Sequence, residues 1–402
     1  MHSRIAKRIY RYYFRVLGLS CWSSKQWLQI CLILYTCLIL FVEFHEIAIG
    51  LITDFNGTKL SIAGSVLFYI TLGYNAVHFF NCLIALIGQK YEETIEKIFQ
   101  DIDDTFQLRL FYQSTHEEEK RLQSDNYFRY YWIFEGFWLL TLIIDAFYEG
   151  RFAELLFHAR YIFAVQGVTS NYLQQLMVVV EIENKLKVLS HCLVKHNLLF
   201  KEKLYPFENN RNLLKTYEVM NADFIEVKKA NNDSKEFSSR IGPYQLKRIL
   251  AMKHVYTQLT KVCQLSSTMY GSRLFLTVLL CIYDFTLVLY FLIIALTDRA
   301  VDAWLTFWSF YTNLPSIVKF AFLCKKCESC SSMTSDILLK LRSSPVKSLL
   351  VDDFILQIRQ NPIKFTAYDF YELNTETLTQ VSVIVFDLML FLVQMFYLTN
   401  EP

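Results

Sequence analysis

The sequence predicts an all-α membrane protein with seven transmembrane helices, and three features of its 402 residues support this fold class. Hydrophobic residues make up 53% of the chain and charged residues only 19%, below the roughly 25% typical of soluble domains. The charges are clustered, and apolar stretches of about 20 residues, enough to span a bilayer, lie between the clusters. These long, unbroken stretches predict helices, because barrel strands alternate in polarity and last only about ten residues.

The seven helices can be placed on these apolar stretches. They cover approximately residues 27–50, 61–88, 128–148, 152–180, 273–296, 301–323 and 380–397. The fourth is the least regular, because His158, Arg160 and several amide side chains interrupt it. Counts of six or eight helices are therefore alternatives to seven.

The distribution of Lys and Arg predicts the orientation. The segment before the first helix and the connections 89–127, 181–272 and 324–379 hold 33 basic residues, while the alternate connections hold 3. Since basic residues favour the cytoplasmic side, we expect a cytoplasmic N-terminus and an extracellular C-terminus. The acceptor motif at Asn56 then falls in the first outer loop, where an N-linked glycan is expected.

The three connections predicted to be cytoplasmic are long, yet they have helical patterns. Apolar residues in 244–265 recur mostly every three or four positions, and 181–199 continues the fourth helix. Long structureless loops are uncommon in compact proteins. We therefore expect the transmembrane helices to continue into a cytoplasmic helical anchor domain. The outer connections are short, so a ligand from outside would bind among the outer halves of the helices.

Enzyme motifs are missing from the sequence, which has no glycine-rich phosphate loop, HExxH or GxSxG. Cys324, Cys327 and Cys330 have a spacing compatible with zinc, but a closed structural site needs a fourth ligand. Cysteines beside the membrane are also candidates for palmitoylation. Free, reduced thiols are the favoured interpretation. We therefore predict no catalytic site, metal or cofactor. We also predict no nucleic-acid partner, because the excess of basic residues follows the membrane topology.

Polar and aromatic residues in the predicted outer halves of the helices form a candidate ligand site. Ionisable residues in a membrane are costly and by default indicate function, which singles out Asp145 and Arg160. Small-molecule sites are usually apolar and aromatic with a few polar groups. The aromatic candidates are Tyr290, Trp304, Trp308 and Tyr311. The alternatives are that Asp145 and Arg160 pair across a helix interface, and that the aromatic residues form an interfacial belt.

The last predicted helix carries polar residues at a regular interval. Gln380, Asp387 and Gln394 are seven apart, so they form one polar line about 21 Å long on an apolar helix. In an oligomer whose last helices surround an axis, this line and Phe391 would face a pore. A ring of Asp would favour cations. Alternatively, Asp387 pairs with a basic residue and Gln394 bonds to a neighbouring helix; the residues themselves leave both interpretations open.

The region before this helix resembles the C-terminal signature of insect gustatory receptors. The residues that carry the resemblance are Phe365, Thr366, Ala367, Phe370, Leu373 and Asn374, followed by an apolar helix with a Gln. The signature covers about 40 residues, and the rest of the chain matches the family in layout. The final helix of the family usually reads Thr-Tyr, five apolar residues and Gln-Phe. Here Asp387-Leu388 replaces Thr-Tyr. Of the four motif residues Thr, Tyr, Gln and Phe, only the Gln is retained, as Gln394.

The resemblance implies a tastant-gated, non-selective cation channel in the plasma membrane of sensory neurons. It would be a homo- or hetero-tetramer with other gustatory receptor subunits, with Gln394 near the outer constriction of a central pore. The divergent aromatic cavity favours bitter or other aversive compounds. An odorant receptor of the same superfamily is the closest alternative. A G-protein-coupled receptor would need the opposite orientation, and a transporter would be expected to show internal repeats.

Overall fold

The described part of the chain is almost entirely helical, which confirms the predicted all-α class. A computed structural model describes residues 2–21, 23, 26–55, 62–110, 155–209, 243–297, 303–344 and 349–399. The described helices are α1 (His2–Val16), α2 (Gln26–Phe55), α3 (Ile62–Ile87), α4 (Gln89–Leu108), α5 (Leu155–Asn209), α6 (Pro243–Thr297), α7 (Ala303–Arg342), α8 (Leu349–Gln360) and α9 (Thr375–Thr399). Strands β1 (Thr366–Ala367) and β2 (Tyr371–Glu372) form a short antiparallel hairpin between α8 and α9.

Four of the described helices contain segments long and apolar enough to cross a membrane. These segments are Gln26–Ile49, Tyr69–Ile87, Leu246–Ile293 and Thr375–Met395. The predicted third transmembrane helix, 128–148, lies outside the described residues. The predicted fourth and sixth helices fall on α5 and α7, whose first side chains also lie outside them.

Helices α5 and α6 are each 55 residues long, well beyond the length needed to span a bilayer. This confirms the expectation that 181–199 and 244–265 continue helices. The extended halves pack together with α4, α7 and α8 around one large apolar core. In α4 the buried residues Ile95, Ile98, Ile102 and Phe106 recur every three or four positions, so one face of this otherwise polar helix joins that core.

The chain between α1 and α2 turns inside the bundle. Residues 17–21, which we call the N-terminal turn, are buried except for the half-buried Ser20. Gly18 has a φ of +71°, a value that favours glycine, and a Cβ there would lie about 3 Å from the side chains of Ile39 and Cys82. A side chain at position 18 would therefore oppose this close packing.

Candidate functional site

Helix α9 contacts the rest of the chain along one narrow stripe. Val385 and Met389 are buried, and Leu378 and Val381 are half-buried against the core. These residues are mostly three or four positions apart, so they share one face of the helix. The stripe packs against α6 and α7. Most other described side chains of α9 are exposed.

The polar line lies on the opposite face of α9. At about 100° per residue, Gln380, Asp387 and Gln394 lie roughly 160–200° around the helix from the midpoint of Val385 and Met389. All three polar side chains are exposed, as is Phe391 one turn before Gln394. Within the described residues, the side chains of Asp387 and Gln394 form no hydrogen bond or ion pair. The alternative that Asp387 pairs with a basic residue and Gln394 bonds to a neighbouring helix would require such contacts, and the described part of the chain does not form them.

The start of α9 is fixed by a polar cap. The side-chain oxygen of Asn374 accepts hydrogen bonds from the backbone N–H of Thr377, at 2.8 Å, and from its hydroxyl, at 2.9 Å. This is how an N-cap residue satisfies donors that the first helical turn leaves unpaired. The Thr375 hydroxyl also donates to Glu328 of α7 at 2.7 Å. The cap thus connects the base of the polar helix to α7.

The hairpin that precedes α9 is pressed against α6. Phe365 and Leu373, both within the resembling signature, are buried at its base. A Cβ on Gly271 of α6 would lie 2.5 Å from the backbone nitrogen of Tyr368, so only glycine lets the two backbones approach this closely. Tyr368 itself has a φ of 52°. The signature residues therefore serve to seat the hairpin and cap α9.

The structure describes only part of the predicted ligand site. Tyr290 lies half-buried on α6, with its ring centre 5.3 Å from that of Phe291. Four other candidates lie on described helices, but their side chains are outside the described residues; they are Arg160, Trp304, Trp308 and Tyr311. Asp145 and the glycosylation candidate Asn56 are outside the described residues altogether.

A buried hydrogen bond joins α3 and α6 near the predicted ligand site. The Tyr74 hydroxyl donates to a carboxylate oxygen of Asp284 at 2.7 Å, and both residues are at most 2% exposed. Tyr74 lies within the predicted second transmembrane helix, and Asp284 lies within the predicted fifth. Burying a carboxylate without a donor is costly, so this bond compensates part of that cost.

A second buried pair, which the sequence reasoning missed, lies between α2 and α3. The Nδ1 atom of His78 lies 2.8 Å from Oε1 of Glu43, and Nε2 lies 3.0 Å from the Leu17 carbonyl oxygen. His78 is fully buried. The sequence did contain a sign of this pair, because an acidic residue, Glu43, and a basic residue, His78, lie in consecutive apolar stretches. Intramembrane charges usually pair with one another, so the two could have been matched.

The N-terminal turn is held by side chains from α5 and α6 as well. The carbonyl oxygen of Leu19 accepts from Gln174 and from Arg273, both at 3.3 Å. Arg273 also donates to Gln174 at 3.2 Å, and Gln174 in turn donates to Glu92 at 3.2 Å. Arg273 is fully buried, although the sequence places it at the end of a transmembrane helix. These bonds fix the N-terminal turn inside the bundle.

The three cysteines of the CxxCxxC motif are buried, free thiols on α7. Burial raises the pKa of Cys324 to about 12 and also raises that of Cys330, so both stay protonated at neutral pH. The thiolate is the form that binds metals and reacts. No group of three His, Cys, Asp or Glu in the described ranges is arranged to hold a metal ion. All three side chains belong to the large apolar core.

Comparison with known proteins places this architecture in a family. The family described as 7tm Chemosensory receptor matches residues 8–398, nearly the whole chain. A search of curated proteins finds no match to the chain. The matched family consists of receptors and channels and not of enzymes, in agreement with the lack of enzyme motifs. The match extends from α1 to the end of α9, and the chain belongs to the seven-transmembrane chemosensory receptor family.

Proposed function

We propose that the chain is a subunit of a gustatory receptor, a tastant-gated and non-selective cation channel. The observation that carries this proposal is the position of the polar line on α9, opposite the stripe that packs against the same chain. A carboxylate and two amides would otherwise face lipid, which is costly. In a homo- or hetero-tetramer with α9 around a central axis, they would face water.

In this arrangement Asp387 and Gln394 of the line have distinct roles. Asp387 from each subunit would form a ring of carboxylates that attracts cations and repels anions. Gln394, with Phe391 one turn earlier, would line the narrower outer end of the pore. The packed stripe at Val385 and Met389 would transmit movements of α6 and α7 to the pore helix, because it is where α9 contacts them.

The proposed orientation places the N-terminus in the cytoplasm and the glycan acceptor Asn56 outside, in the plasma membrane of a sensory neuron. Support comes from the 33 basic residues in the N-terminal segment and the three long connections, against 3 in the short connections. A mobility shift that is abolished by glycosidase and by Asn56→Gln would agree with this orientation. Glycosylation of an acceptor motif added before α1 would contradict it.

Tastants would bind in the outer halves of the helices, near the buried Tyr74–Asp284 pair. The candidates for ligand contact are Asp145, Arg160, Tyr290, Trp304, Trp308 and Tyr311. An aromatic, mainly apolar cavity suits bitter or otherwise aversive compounds. An odorant receptor of the same family is the alternative, and volatile ligands acting without any response to soluble tastants would favour it.

Recording currents from cells that express the chain tests the channel proposal. The chain is expressed alone and with candidate partner subunits, and a panel of bitter compounds, sugars and volatiles is applied. We expect a cation current from at least one combination, persisting in excised patches without guanine nucleotides. The absence of any current in every combination, despite surface expression, would contradict the proposal.

Substitution of Asp387 tests its proposed place in the pore. Asp387→Asn removes the ring of charge, so we expect a lower cation-to-anion permeability ratio or altered block by divalent cations. Asp104→Asn is the matched control, because Asp104 is an exposed carboxylate on α4, far from α9 in the chain. Unchanged permeation in Asp387→Asn would exclude Asp387 from the pore lining.

A further inference from the structure

Helix α9 carries a further carboxylate on the same face as its polar line. Glu376 lies in the first turn of the helix, and its side chain is exposed. At about 100° per residue, Glu376 lies within about 40° of all three residues of the polar line around the helix axis. The polar face of α9 therefore begins with an acidic residue at the start of the helix.

The chain leaves the side of α9 that carries Glu376 uncovered. Val385 and Met389, which are buried in the packed stripe, lie roughly 140–180° away from Glu376 around the helix. Within the described residues, the Glu376 carboxylate forms no hydrogen bond or ion pair. Asp387 is the next carboxylate on this face, about 16 Å further along the helix axis. Two carboxylates without a partner in the described chain thus share one face of α9 at different depths.

The surroundings of Glu376 add negative charge to this end of α9. A cavity beside the start of the helix is lined by three carboxylates and one cation, which are Glu328, Glu372, Glu376 and Lys364. Lys364 pairs with Glu372 at 2.9 Å, and Glu328 accepts a hydrogen bond from Thr375 at 2.7 Å. The lining therefore has an excess of negative charge, which attracts cations to the start of the helix.

We propose that Glu376 forms a second ring of carboxylates, at the cytoplasmic mouth of the pore, and sets the conductance for cations that leave the cell. The inference rests on the proposed function, in which copies of α9 surround an axis with the polar line towards it. The start of α9 is then on the cytoplasmic side, so cations that move outward meet Glu376 before Asp387. Fixed charges at an entrance raise the local concentration of counter-ions and hence their rate of entry.

A purely structural role of Glu376 has a different consequence. An acidic residue in the first turn of any helix is stabilised by the positive end of the helix dipole, whichever face it lies on. Asp352 has this place in α8, where it is also exposed and in the first turn. Because Asp352 is not on α9, its removal would reproduce the loss of the dipole interaction without removing charge from the pore. The two residues thus separate the structural role from the conducting one.

Single-channel recording in inside-out patches tests the proposed ring. The full-length chain is expressed in each combination of subunits, and the cytoplasmic side is bathed in potassium chloride at low or high concentration. At about 0.01 M salt, where charges act over about 30 Å, Glu376→Gln should reduce the outward conductance by about twofold and leave the inward conductance nearly unchanged. At about 1 M salt, where this range falls to about 3 Å, wild type and Glu376→Gln should conduct equally.

Three further variants show whether charge at position 376 is the cause. Glu376→Asp keeps the carboxylate and should retain the outward conductance of the wild type at low salt. Glu376→Lys reverses the charge and should lower the outward conductance below that of Glu376→Gln. Asp352→Asn is the matched control, because it removes an exposed first-turn carboxylate from α8 and should leave both conductances unchanged. Thermal melting of each variant establishes that it is folded.

Three results would overturn the assignment of Glu376: an unchanged outward conductance in Glu376→Gln, a reduction that persists at high salt, and an equal reduction in Asp352→Asn. In each of these results the receptor still conducts, so the channel proposal stands without the cytoplasmic ring. The absence of current from every combination of subunits would overturn the channel proposal and the ring together. The two failures are therefore distinguished by whether a current is present.

Discussion

Glu43 and His78 form a buried pair, with 2.8 Å between Oε1 and Nδ1, and the second ring nitrogen of His78 is bound to the carbonyl oxygen of Leu17. A carbonyl oxygen only accepts, so Nε2 carries a proton, and a second proton lies between Nδ1 and Glu43. Glu43→Ala leaves Nδ1 without a partner, at a cost of about 1–3 kcal/mol. Glu43→Gln keeps a hydrogen-bonding group and should cost less.

Melting temperatures followed by fluorescence size-exclusion chromatography would rank wild type first, Glu43→Gln second and Glu43→Ala last. Equal melting of the alanine and glutamine variants would show that the hydrogen bond to His78 contributes nothing measurable.

Gly167 of α5 provides the space that the His78 ring occupies. A Cβ at position 167 would overlap three atoms of that ring, and His78 is held at both nitrogens. Gly167→Ala should therefore cost about 1–3 kcal/mol, the usual penalty for overfilling a core. Gly73→Ala is the matched control, because its Cβ would meet only the end of the flexible Leu280 side chain, at 3.0 Å.

Surface expression and melting temperature should both fall in Gly167→Ala and change much less in Gly73→Ala. If the two alanine variants were equally stable, the His78 ring would have to move freely, contrary to its two hydrogen bonds.

Glu183 links α5 to α7 and predicts a pH dependence of stability. Burial raises the pKa of Glu183, but hydrogen bonds from Lys326, at 2.8 Å, and from Lys187 outweigh this effect and lower it below its usual value. A lowered pKa in the folded state adds stability above the usual value of about 4.5, and this stability is lost as the pH falls through the folded pKa. Glu183→Gln should lose about 1.5–3 kcal/mol at pH 7.

The difference in melting temperature between wild type and Glu183→Gln should stay nearly constant from pH 7 to about 5 and shrink as the pH falls below 4.5. Glu93→Gln is the control, since the exposed Glu93–Lys97 pair contributes at most about 0.5 kcal/mol. A difference that grew on acidification would reverse the assigned direction of the pKa shift.

Asn374 caps α9, so its replacement should loosen the start of the polar helix. Asn374→Ala removes the acceptor for the Thr377 N–H and should cost about 1 kcal/mol, whereas Asn374→Asp should retain most of the cap. Hydrogen exchange of the first turn of α9 measures the effect directly. Faster exchange in both variants would mean that the amide nitrogen, and not the oxygen, supports the cap.

Local patterns in the sequence were enough to predict the extensions of α5 and α6 and the placement of the polar line on one face of α9. The spacing within 244–265 identified the extension of α6, because one apolar face every three or four residues is a property of the segment itself. The interval of seven between Asp387 and Gln394 likewise placed both on one face. Which face of α9 packs inward was not predictable, because that depends on α6 and α7.

Contacts between distant segments could not be derived from one sequence. The bonds from Gln174 and Arg273 to Leu19 join residues separated by 155 and 254 positions. No local pattern records such a pairing. Arg273 sits at the end of an apolar stretch, where a basic side chain normally reaches towards water. Only the placement of the N-terminal turn inside the bundle explains why this one is fully buried.

That turn has a consequence for biosynthesis. Residues 17–21 leave the ribosome long before Arg273, whose guanidinium binds the Leu19 carbonyl and which is synthesised 254 positions later. The turn therefore reaches its final hydrogen bonds only after the helices that carry its partners have been made and inserted. A segment translated ahead of α2 is among the last to be locked in place.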